Sequence, residues 1–449
     1  MSGVQIDEGS AASRFLPTAA FCLCIALLAF IAGTFFMYRD IFPASYLAQS
    51  YQGGLALWDK MTRYQDPYLT DFWFPERRPD RGVTVYDPAR AANGLTLYSS
   101  GHDHKAFLID MEGRVVHEWA MPYSRIWDET AAVKRPQPDS HIYIEKAYVF
   151  PNGDLLALYV AAGDSPWGYG LVKLNRNSEV IWKYLAHAHH DFAVEADGSV
   201  WVLTHEITNR VVEGYEYLKP PRIDDFIVHL SPEGEEVSKI WLLGAMAASP
   251  FGRWLNIVPW YVGLGKGDYL HTNNIDLLAG NLEKLPGVEE GDLLLSFREI
   301  STIAVLDPES ERVVWAMPGP WLRQHDPDLL PNGNILLFDN EGVYGDDGTS
   351  RVIEIDPATH QIVWTYGGTS EQPLDSVVRS SEERLANGNT LIVESNGGRV
   401  VEVTPEGEPV WEFVNPVRGG ENEERIPIIF WVKRIDPATF DPDFRDSLS

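Results

Sequence analysis

The residues best suited to chemistry are three histidines and one arginine that stand at related positions in a repeated pattern. His190 and His325 each lie eight residues before a turn glycine, and His271 lies in a similar strand before another. Arg298 follows a turn glycine by seven residues. Histidine acts as nucleophile, acid or base near neutral pH, and arginine is a fixed planar cation suited to oxyanions. The set indicates chemistry on an anionic group; a metal site for Zn²⁺, Cu²⁺ or Ni²⁺, held by neutral imidazoles, is the alternative.

The repeated pattern that carries these residues predicts antiparallel β-sheets arranged in a ring. Each unit has a turn glycine, an apolar strand, a second turn and a closing strand with a tryptophan, an order typical of hairpins. The spacing of the units is close to that of propeller blades, and the tryptophans are interpreted as packing between blades. The sequence therefore predicts an all-β fold, a six-bladed β-propeller over residues 82–436. The six turn glycines are Gly94, Gly153, Gly198, Gly291, Gly333 and Gly388.

The strand directions within a propeller blade predict where the candidate side chains meet. The inner strand starts at one face of the ring and the second strand returns to that face, so the two ends share one rim of the channel. Three of the histidines, His190, His271 and His325, lie at the starts of inner strands, whereas Arg298 and His205 lie at the ends of second strands. We therefore expect all five side chains at a single axial opening.

Segments outside the six units are assigned by composition. Closure of the ring requires an inner strand for the first blade, and either residues 83–86 or residues 426–432 are expected to supply it. The apolar insertion 244–267 is interpreted as a lid or a packed loop in preference to a segment that dips into a membrane. Residues 437–449 are assigned to a C-terminal tail.

The N-terminal part of the chain predicts a membrane anchor. Residues 1–14 form a polar tail, and residues 15–38 are apolar and uncharged, long enough to cross a hydrocarbon layer of about 30 Å. A retained transmembrane helix is preferred to a cleaved signal because the apolar stretch is long and a small-residue cleavage site is poorly formed. We expect a juxtamembrane linker over residues 39–81 and the propeller on the periplasmic or extracytoplasmic side.

Composition argues against several classes of function. Lys and Arg number 36 against 65 Asp and Glu, a formal charge of −29, so nucleic acid is not an expected partner. Both cysteines, Cys22 and Cys24, lie in the apolar segment, which leaves no disulfide framework and no cysteine-based metal site. The sequence also lacks the phosphate-binding motifs of nucleotide enzymes. The preferred interpretation therefore includes no cofactor and no metal.

Four short motifs, in this order along the chain, resemble those of the bacterial arylsulfotransferase family. They are His-His-Asp at 189–191, His-Thr-Asn at 271–273, Ser-Phe-Arg at 296–298 and Gln-His-Asp at 324–326. The resemblance extends over residues 82–415 and is most specific over residues 268–366. It implies a six-bladed, usually exported propeller that moves a sulfuryl group from an aryl sulfate donor to a phenolic acceptor without a nucleotide.

The resemblance also implies roles for individual residues. His325 matches the family's transiently sulfurylated histidine, and His271 and Arg298 match residues that bind the sulfate. We choose His190 as the additional active-site histidine, and His189 remains an alternative to it.

Three residues, Asn273, His189 and His205, are predicted to bind substrate, and Asn273 matches the asparagine beside the family's sulfate-binding histidine. The chain departs from the family in its anchor and in having no cysteine outside it, since soluble periplasmic members have a cleaved signal and a disulfide. The alternative function is a non-catalytic propeller scaffold or a metal-binding module at the membrane surface. Turnover of an aryl sulfate distinguishes these functions.

Overall fold

A computed structural model describes residues 9–39, 41–62, 64–164, 167–257, 267–343 and 349–448. The chain divides into two compact units, residues 1–65 and residues 66–449.

The first unit contains two helices, α1 (Gly9–Arg39) and α2 (Ala44–Thr62). Within α1 the segment Pro17–Arg39 has a mean hydropathy of 2.5 and none of its side chains is buried. An apolar helix of this length can cross a membrane, and it can also serve as a signal sequence. The predicted N-terminal apolar helix is therefore confirmed.

The second unit is built mainly of antiparallel strands, which in chain order begin with β1 (Trp73–Pro75) and β2 (Gly82–Tyr86). The next strands are β3 (Leu95–Ser100), β4 (Lys105–Ile109), β5 (Val115–Ala120), β6 (Ile142–Val149), β7 (Leu155–Ala161), β8 (Gly168–Leu174), β9 (Val180–Tyr184), β10 (Ala188–Val194), β11 (Val200–Thr208), β12 (Arg222–Leu230) and β13 (Glu236–Trp241). After helix α3 (Leu242–Ala247) come β14 (Thr272–Leu277), β15 (Leu293–Phe297), β16 (Thr302–Asp307), β17 (Arg312–Pro318), β18 (His325–Leu329), β19 (Ile335–Asp339), β20 (Arg351–Asp356) and β21 (Gln361–Tyr366). The last strands are β22 (Ser381–Arg384), β23 (Thr390–Glu394), β24 (Arg399–Val403), β25 (Pro409–Val414), β26 (Arg425–Pro427) and β27 (Ile429–Ile435), and they are followed by helix α4 (Pro442–Arg445).

Six sheets form the blades of a propeller, which confirms the predicted six-bladed fold. Blades 2, 3, 4 and 5 each use four consecutive strands, β6–β9, β10–β13, β14–β17 and β18–β21. Blade 1 has the order β27-β3-β4-β5, and blade 6 contains β22–β25 with β2 as a fifth strand.

The ring is closed by strands from both ends of the second unit. Strand β27 is the inner strand of blade 1 and pairs with β3, with Val432 opposite Tyr98. The late β-rich run is therefore confirmed as the source of the missing strand. The alternative source, residues 83–86, is wrong, because β2 pairs with the outer edge of blade 6, where Tyr86 lies opposite Trp411. A strand added there covers an edge that would otherwise expose unpaired backbone groups.

The core lies in the wedges between neighbouring blades. Six clusters of buried apolar side chains fill these wedges, one for each pair of adjacent blades. In four wedges an indole N–H from a closing strand also donates to a backbone carbonyl in a turn of the next blade. The pairs are Trp119 with Gly153 at 3.0 Å, Trp182 with Pro232 at 3.0 Å, Trp364 with Pro405 at 2.8 Å and Trp411 with Met111 at 2.9 Å. This confirms that these tryptophans pack between blades.

The described part of the insertion packs against the propeller. Helix α3 and the 3₁₀ helix Gly252–Ile257 contribute the buried residues Leu242, Met246 and Leu255 to the wedge between blades 3 and 4. Up to residue 257 the insertion is therefore a packed loop. Residues 258–266, the remaining part on which the lid interpretation depends, lie outside the described residues.

Two further segments of the second unit lie against the ring. Strand β1 pairs with β26 in a small sheet, with Phe74 opposite Ile426. Helix α4 buries Phe444 in the wedge between blades 1 and 2, together with Phe440. The chain on either side of the blade strands thus adds to the packing of the unit.

Candidate active site

The inner strands of blades 2 to 5 share a local irregularity near their N-terminal ends. Pairing with the second strand shifts register there, between Ile144 and Lys146, Ala188 and Phe192, Thr272 and Ile275, and His325 and Asp328. Beside these bulges His190, His271 and Asp326 have left-handed φ values of 55°, 48° and 52°. A bulge re-aims side chains, and left-handed backbone at non-glycine residues is costly and concentrates at functional sites. The predicted rim is therefore where the backbone departs from regular pairing.

The structure brings the four predicted catalytic residues into one cluster. The ring centroids of His190 and His271 are 5.0 Å apart. His190 and His325 line the same pocket, together with Asn273. The Arg298 backbone N–H donates to the His271 carbonyl at 3.4 Å, and the side chain of Gln324, next to His325, donates to the Phe297 carbonyl at 3.3 Å. Burial and then the positive charge of Arg298 lower the pKa values of His271 and His325, each to about 3. Blades 3, 4 and 5 thus contribute side chains to a single site.

Hydrogen bonds define the orientation and tautomer of His325. Its Nδ1 lies 2.6 Å from Asn340 Oδ1, and the Asn340 amide nitrogen donates to the carbonyls of Ser376 and Arg379 at 2.7 and 2.8 Å. Because the amide nitrogen donates to two carbonyls, the amide oxygen faces His325 and accepts a hydrogen bond from the Nδ1–H. The lone pair of neutral His325 is therefore on Nε2, the atom that remains for attack on a substrate.

His271 and Arg298 are held by carboxylates at the mouth of blade 4. His271 Nδ1 lies 2.6 Å from Asp268 Oδ2, and Arg298 pairs with Glu299. Burial raises the pKa of Asp268 to about 7, and the Arg298 charge opposes that rise. The carboxyl of Asp268 fixes the ring of His271, and its Nε2 is left for a ligand in the same way as that of His325.

His190 is held from two sides. Its Nδ1 lies 2.7 Å from His189 Nδ1, and its backbone N–H donates to Glu145 Oε2 at 3.0 Å. Burial, and next the neighbouring His189, lower the pKa of His190 well below its ordinary value. The indole ring of Trp167 packs against both His190 and His271, with centroid distances of 5.7 and 5.3 Å. The site therefore combines nitrogen bases with an aromatic wall.

The residues predicted to bind substrate occupy two different environments. The Asn273 amide donates to the Gln324 carbonyl at 2.9 Å, which ties blade 4 to the residue before His325. His189 and His205 are stacked with centroids 4.4 Å apart and are each 1% exposed. Neither of them is among the residues that line the described pocket with Asn273.

Two residues at the site were not assigned a role in the sequence analysis. One is Asn340, described above, and the other is Arg379, which lines the pocket and stacks its guanidinium on Phe72 and Phe430 at 4.7 and 5.5 Å from the ring centroids. Arg379 directly precedes Ser380, which lies eight residues before the turn glycine of blade 6. Counting eight residues back from the turn glycine, which located His190 and His325, therefore leads to the neighbour of Arg379. Because the counted residue itself is a serine, Arg379 was not identified as a candidate.

The lining of the pocket also includes a lysine and acidic side chains. Lys146 forms an ion pair with Asp191, and burial raises the pKa of Asp191 while Lys146 opposes the rise. Burial also raises the pKa of Asp326 to about 7, against the attraction of Lys146. An anion entering this pocket is therefore attracted by Arg379 in the lining and by the nearby charge of Arg298, and ionised carboxyls of the lining repel it.

Comparison with known proteins gives one family and several distant folds. The family model described as arylsulfotransferase (ASST) matches residues 146–416, more than half of the chain. No sequence among curated proteins matches closely enough to count as a relative. Similar solved structures include a protein of unknown function from Bacteroides caccae, with 14% identity, 76% of this chain and 98% of that chain covered, and a TM-score of 0.46.

Two antibiotic lyases are also among the similar structures. Virginiamycin B lyase from Staphylococcus aureus has 13% identity, covers 60% of this chain and 69% of its own, and has a TM-score of 0.35. A streptogramin B lyase has 13% identity, covers 80% of this chain and 91% of its own, and has a TM-score of 0.40. Similarities at this level carry no information about the reaction. The match of the family model does, and the chain belongs to the arylsulfotransferase (ASST) family.

Proposed function

We propose that this chain is a nucleotide-independent aryl-sulfate sulfotransferase that carries the sulfuryl group on His325. Membership of the arylsulfotransferase family supports transfer between phenols. The observation that carries the finer assignment is the neutral His325, whose Nδ1 is engaged by Asn340 and whose ring lines the same pocket as His190. His271 also has a fixed Nε2 and Arg298 as a neighbour, but of these two histidines only His325 is among the residues that line the described pocket.

The first half-reaction transfers the group to the protein. His325 Nε2 attacks the sulfur of the aryl sulfate, an N–S bond forms, and the S–O bond to the aryl oxygen breaks. His190, neutral because burial and His189 lower its pKa, donates a hydrogen bond from its ring N–H to the departing phenolate, which takes a proton from solvent. In the second half-reaction the acceptor, which has released its proton to solvent, receives the same hydrogen bond, its phenolate oxygen attacks the sulfur, and the N–S bond breaks. One proton is thus taken up and one released in each cycle, and two half-reactions imply ping-pong kinetics.

The positive side of the pocket stabilises the transferred group. Sulfuryl transfer resembles phosphoryl transfer, in which the protein mainly positions the reactants and stabilises charge. Arg298 and His271 are assigned to the equatorial sulfuryl oxygens, and their burial strengthens each interaction because little water screens it. Asn273 holds the backbone before His325, so its predicted role in binding is exerted through position.

Aromatic side chains at the same opening suit phenolic substrates. Phe430 and Trp431 line the pocket, and Trp167 packs against the histidines. Aromatic rings stack favourably on each other, which fits an aryl donor and a phenolic acceptor used in turn at one site.

The N-terminal helix supports a location at a membrane. We assign Pro17–Arg39 as a retained anchor and the propeller to the periplasmic or extracytoplasmic side. Protease protection of the propeller in intact cells and after permeabilisation tests the side, and a shortened chain in the mature protein would instead identify the helix as a cleaved signal.

The decisive experiment follows the sulfuryl group. Wild-type protein mixed with a chromogenic aryl sulfate is expected to release a burst of phenol and to carry an acid-labile sulfuryl adduct, detected by intact mass. His325→Ala should lose both, with turnover reduced by about 10⁴-fold or more. His360→Asn, in an exposed turn of blade 5, is the control and should retain both. A full burst and an adduct in His325→Ala would overturn the assignment.

A further inference from the structure

Blade 3 holds a cluster of possible metal ligands that the proposed sulfuryl transfer does not use. His189 lies on β10, His205 on β11 and Asp225 on β12, and His205 is directly opposite Asp225 in the pairing of β11 with β12. One nitrogen or oxygen atom from each side chain lies within 4.8 Å of the others. Three adjacent strands thus bring one ligand atom each to a common point.

The imidazoles of this cluster lack partners. Both are 1% exposed, and His189 Nε2 and the two ring nitrogens of His205 have no hydrogen-bond partner within the part of the chain that the structure describes. Asp225 Oδ1 is 3.6 Å from His189 Nε2, too far for a hydrogen bond. Buried polar groups are nearly always paired, so three orphaned nitrogens at one point indicate a missing ligand.

The charge of the cluster is also uncompensated. Asp225 is 3% exposed, accepts one bond from the Thr272 N–H at 2.6 Å, and is repelled by the neighbouring Asp268. Among the ion pairs of the described residues, none joins Asp225 to a lysine or arginine. A buried carboxylate requires a cation or a set of donors to offset its desolvation. A divalent cation would supply the charge and accept the imidazole lone pairs together.

We propose that His189, His205 and Asp225 bind a divalent transition metal of the Zn²⁺ class. Two imidazoles and one carboxylate are a ligand set of Zn²⁺ sites that keep a fourth position open, whereas Ca²⁺ and Mg²⁺ prefer oxygen ligands alone. The metal site goes beyond the proposed function, because the steps assigned to His325 and His190 need no metal.

The metal acts on the active site through a hydrogen bond. With Nε2 of His189 on the metal, its one ring proton is on Nδ1, which lies 2.7 Å from His190 Nδ1. That proton is donated to His190 Nδ1, so the proton of neutral His190 stays on Nε2. His189 is therefore a positioning residue that fixes the tautomer of His190.

Metal counting tests the site directly. The full chain is purified in detergent through a tag without histidines, stripped with a chelator, dialysed against Zn²⁺ and analysed by elemental mass spectrometry. We expect one Zn²⁺ per wild-type chain. His271→Gln and His325→Ala should keep that stoichiometry, which excludes binding by the neighbouring active-site histidines. His205→Gln and Asp225→Asn should each weaken Zn²⁺ affinity by more than about 10-fold.

The controls separate ligand loss from misfolding. His117→Gln, in the closing strand of blade 1, should bind as wild type does. Asp225→Asn keeps the side-chain shape, and its circular dichroism should match that of wild type. Wild-type protein with far less than one Zn²⁺ per chain, or unchanged affinity in both ligand variants, overturns the proposal. Turnover of an aryl sulfate by metal-free protein rejects only a catalytic need for the metal, and one Zn²⁺ without turnover rejects the sulfotransferase and keeps this site.

Discussion

In the wedges between blades tryptophan has the same role in several repeats, whereas at the rim one backbone position carries different residue types in different blades. Trp182 and Trp364 both donate to a proline carbonyl in the next blade. At the position eight residues before the turn glycine, blades 2, 3, 5 and 6 carry Glu145, His190, His325 and Ser380. A residue type that recurs at equivalent positions therefore indicates packing, and a position whose residue type varies between blades indicates the candidate site.

This division has a testable form. Substitutions at the rim should change the rate of sulfuryl transfer with little effect on folding stability, and substitutions in the wedges should do the reverse. A substitution at the rim is tested best against a control residue of the same type that lies nearby in a different environment.

Among rim substitutions other than those at His325, the largest effect is expected for Arg298→Gln. Loss of one preorganised charge in a buried site typically lowers kcat by about 10²–10³-fold. The matched control is Arg323→Gln, since the Arg323 side chain is 27% exposed and paired with Glu341 at 3.1 Å. Initial rates with an aryl sulfate should fall less than about 10-fold in this control, because solvent screens its charge. Equal losses in the two variants would contradict a specific role for Arg298.

A smaller effect is expected for Asn340→Leu. The substitution removes the acceptor that fixes the His325 tautomer and leaves the Ser376 and Arg379 carbonyls unpaired. Breaking such buried bonds costs about 1–3 kcal/mol, or about 5- to 150-fold in rate if all of it is lost from the transition state. We expect kcat to fall and KM to stay unchanged, since Asn340 does not touch substrate.

The control for Asn340 is another buried asparagine, which lies in a different blade. Asn389 lies in the turn before β23, and its amide donates to Glu402 and to the Arg90 carbonyl. Asn389→Leu should lower the melting temperature by a similar amount and leave kcat unchanged. A parallel loss of kcat in both variants would show that the Asn340 effect is general destabilisation.

The pH dependence of stability offers a third test. Burial and Arg298 lower the pKa of His325 to about 3 in the folded protein, from an ordinary value of 6.5. Between these values the unfolded chain binds a proton at this residue and the folded chain does not, so stability falls as pH is lowered through the window. The melting temperature should therefore drop less between pH 6.5 and pH 4.5 in His325→Gln than in wild type. An equal drop would mean that His325 is not buried as a neutral ring.

Much of the rim was predictable because blade strands have a regular length. Counting from turn glycines located His190 and His325, and the return of the second strand located Arg298. These inferences need only strand direction, which repeats with each blade. The recurrence of the turn glycines predicted the ring itself for the same reason, since their spacing is close to that of propeller blades.

Other features depend on pairings that no local pattern encodes. Strand β2 pairs with the outer strand β25 of blade 6, although each of the other five blades also presents an outer edge strand. Asp225 reaches His205 only through the register of β11 with β12, and Asn340 orients His325 across a β-bulge that shifts the pairing. Trp167 comes from a loop of blade 2 and packs on histidines of blades 3 and 4. Such contacts require the folded geometry.

The smallest effect concerns the wedges and compares Trp411→Phe with Trp364→Phe. Trp411 is fully buried and donates to the Met111 carbonyl at 2.9 Å, whereas Trp364 is partly exposed and donates to the Pro405 carbonyl at 2.8 Å. Phenylalanine keeps an aromatic ring in each wedge and removes the donor. The buried Met111 carbonyl then has no replacement, so we expect a loss of about 1–3 kcal/mol in the free energy of unfolding.

At Trp364 water can reach the carbonyl, and the expected loss is about 0.5–1.5 kcal/mol. Denaturant unfolding of the two variants measures this order, and kcat with an aryl sulfate should remain at the wild-type value in both. A wedge variant that folds as stably as wild type but transfers sulfuryl groups slowly would break the division between packing and site. Because β25, which carries Trp411, lies in blade 6 and Met111 in blade 1, such a result would also mean that the joint between these blades governs the rim geometry at His325.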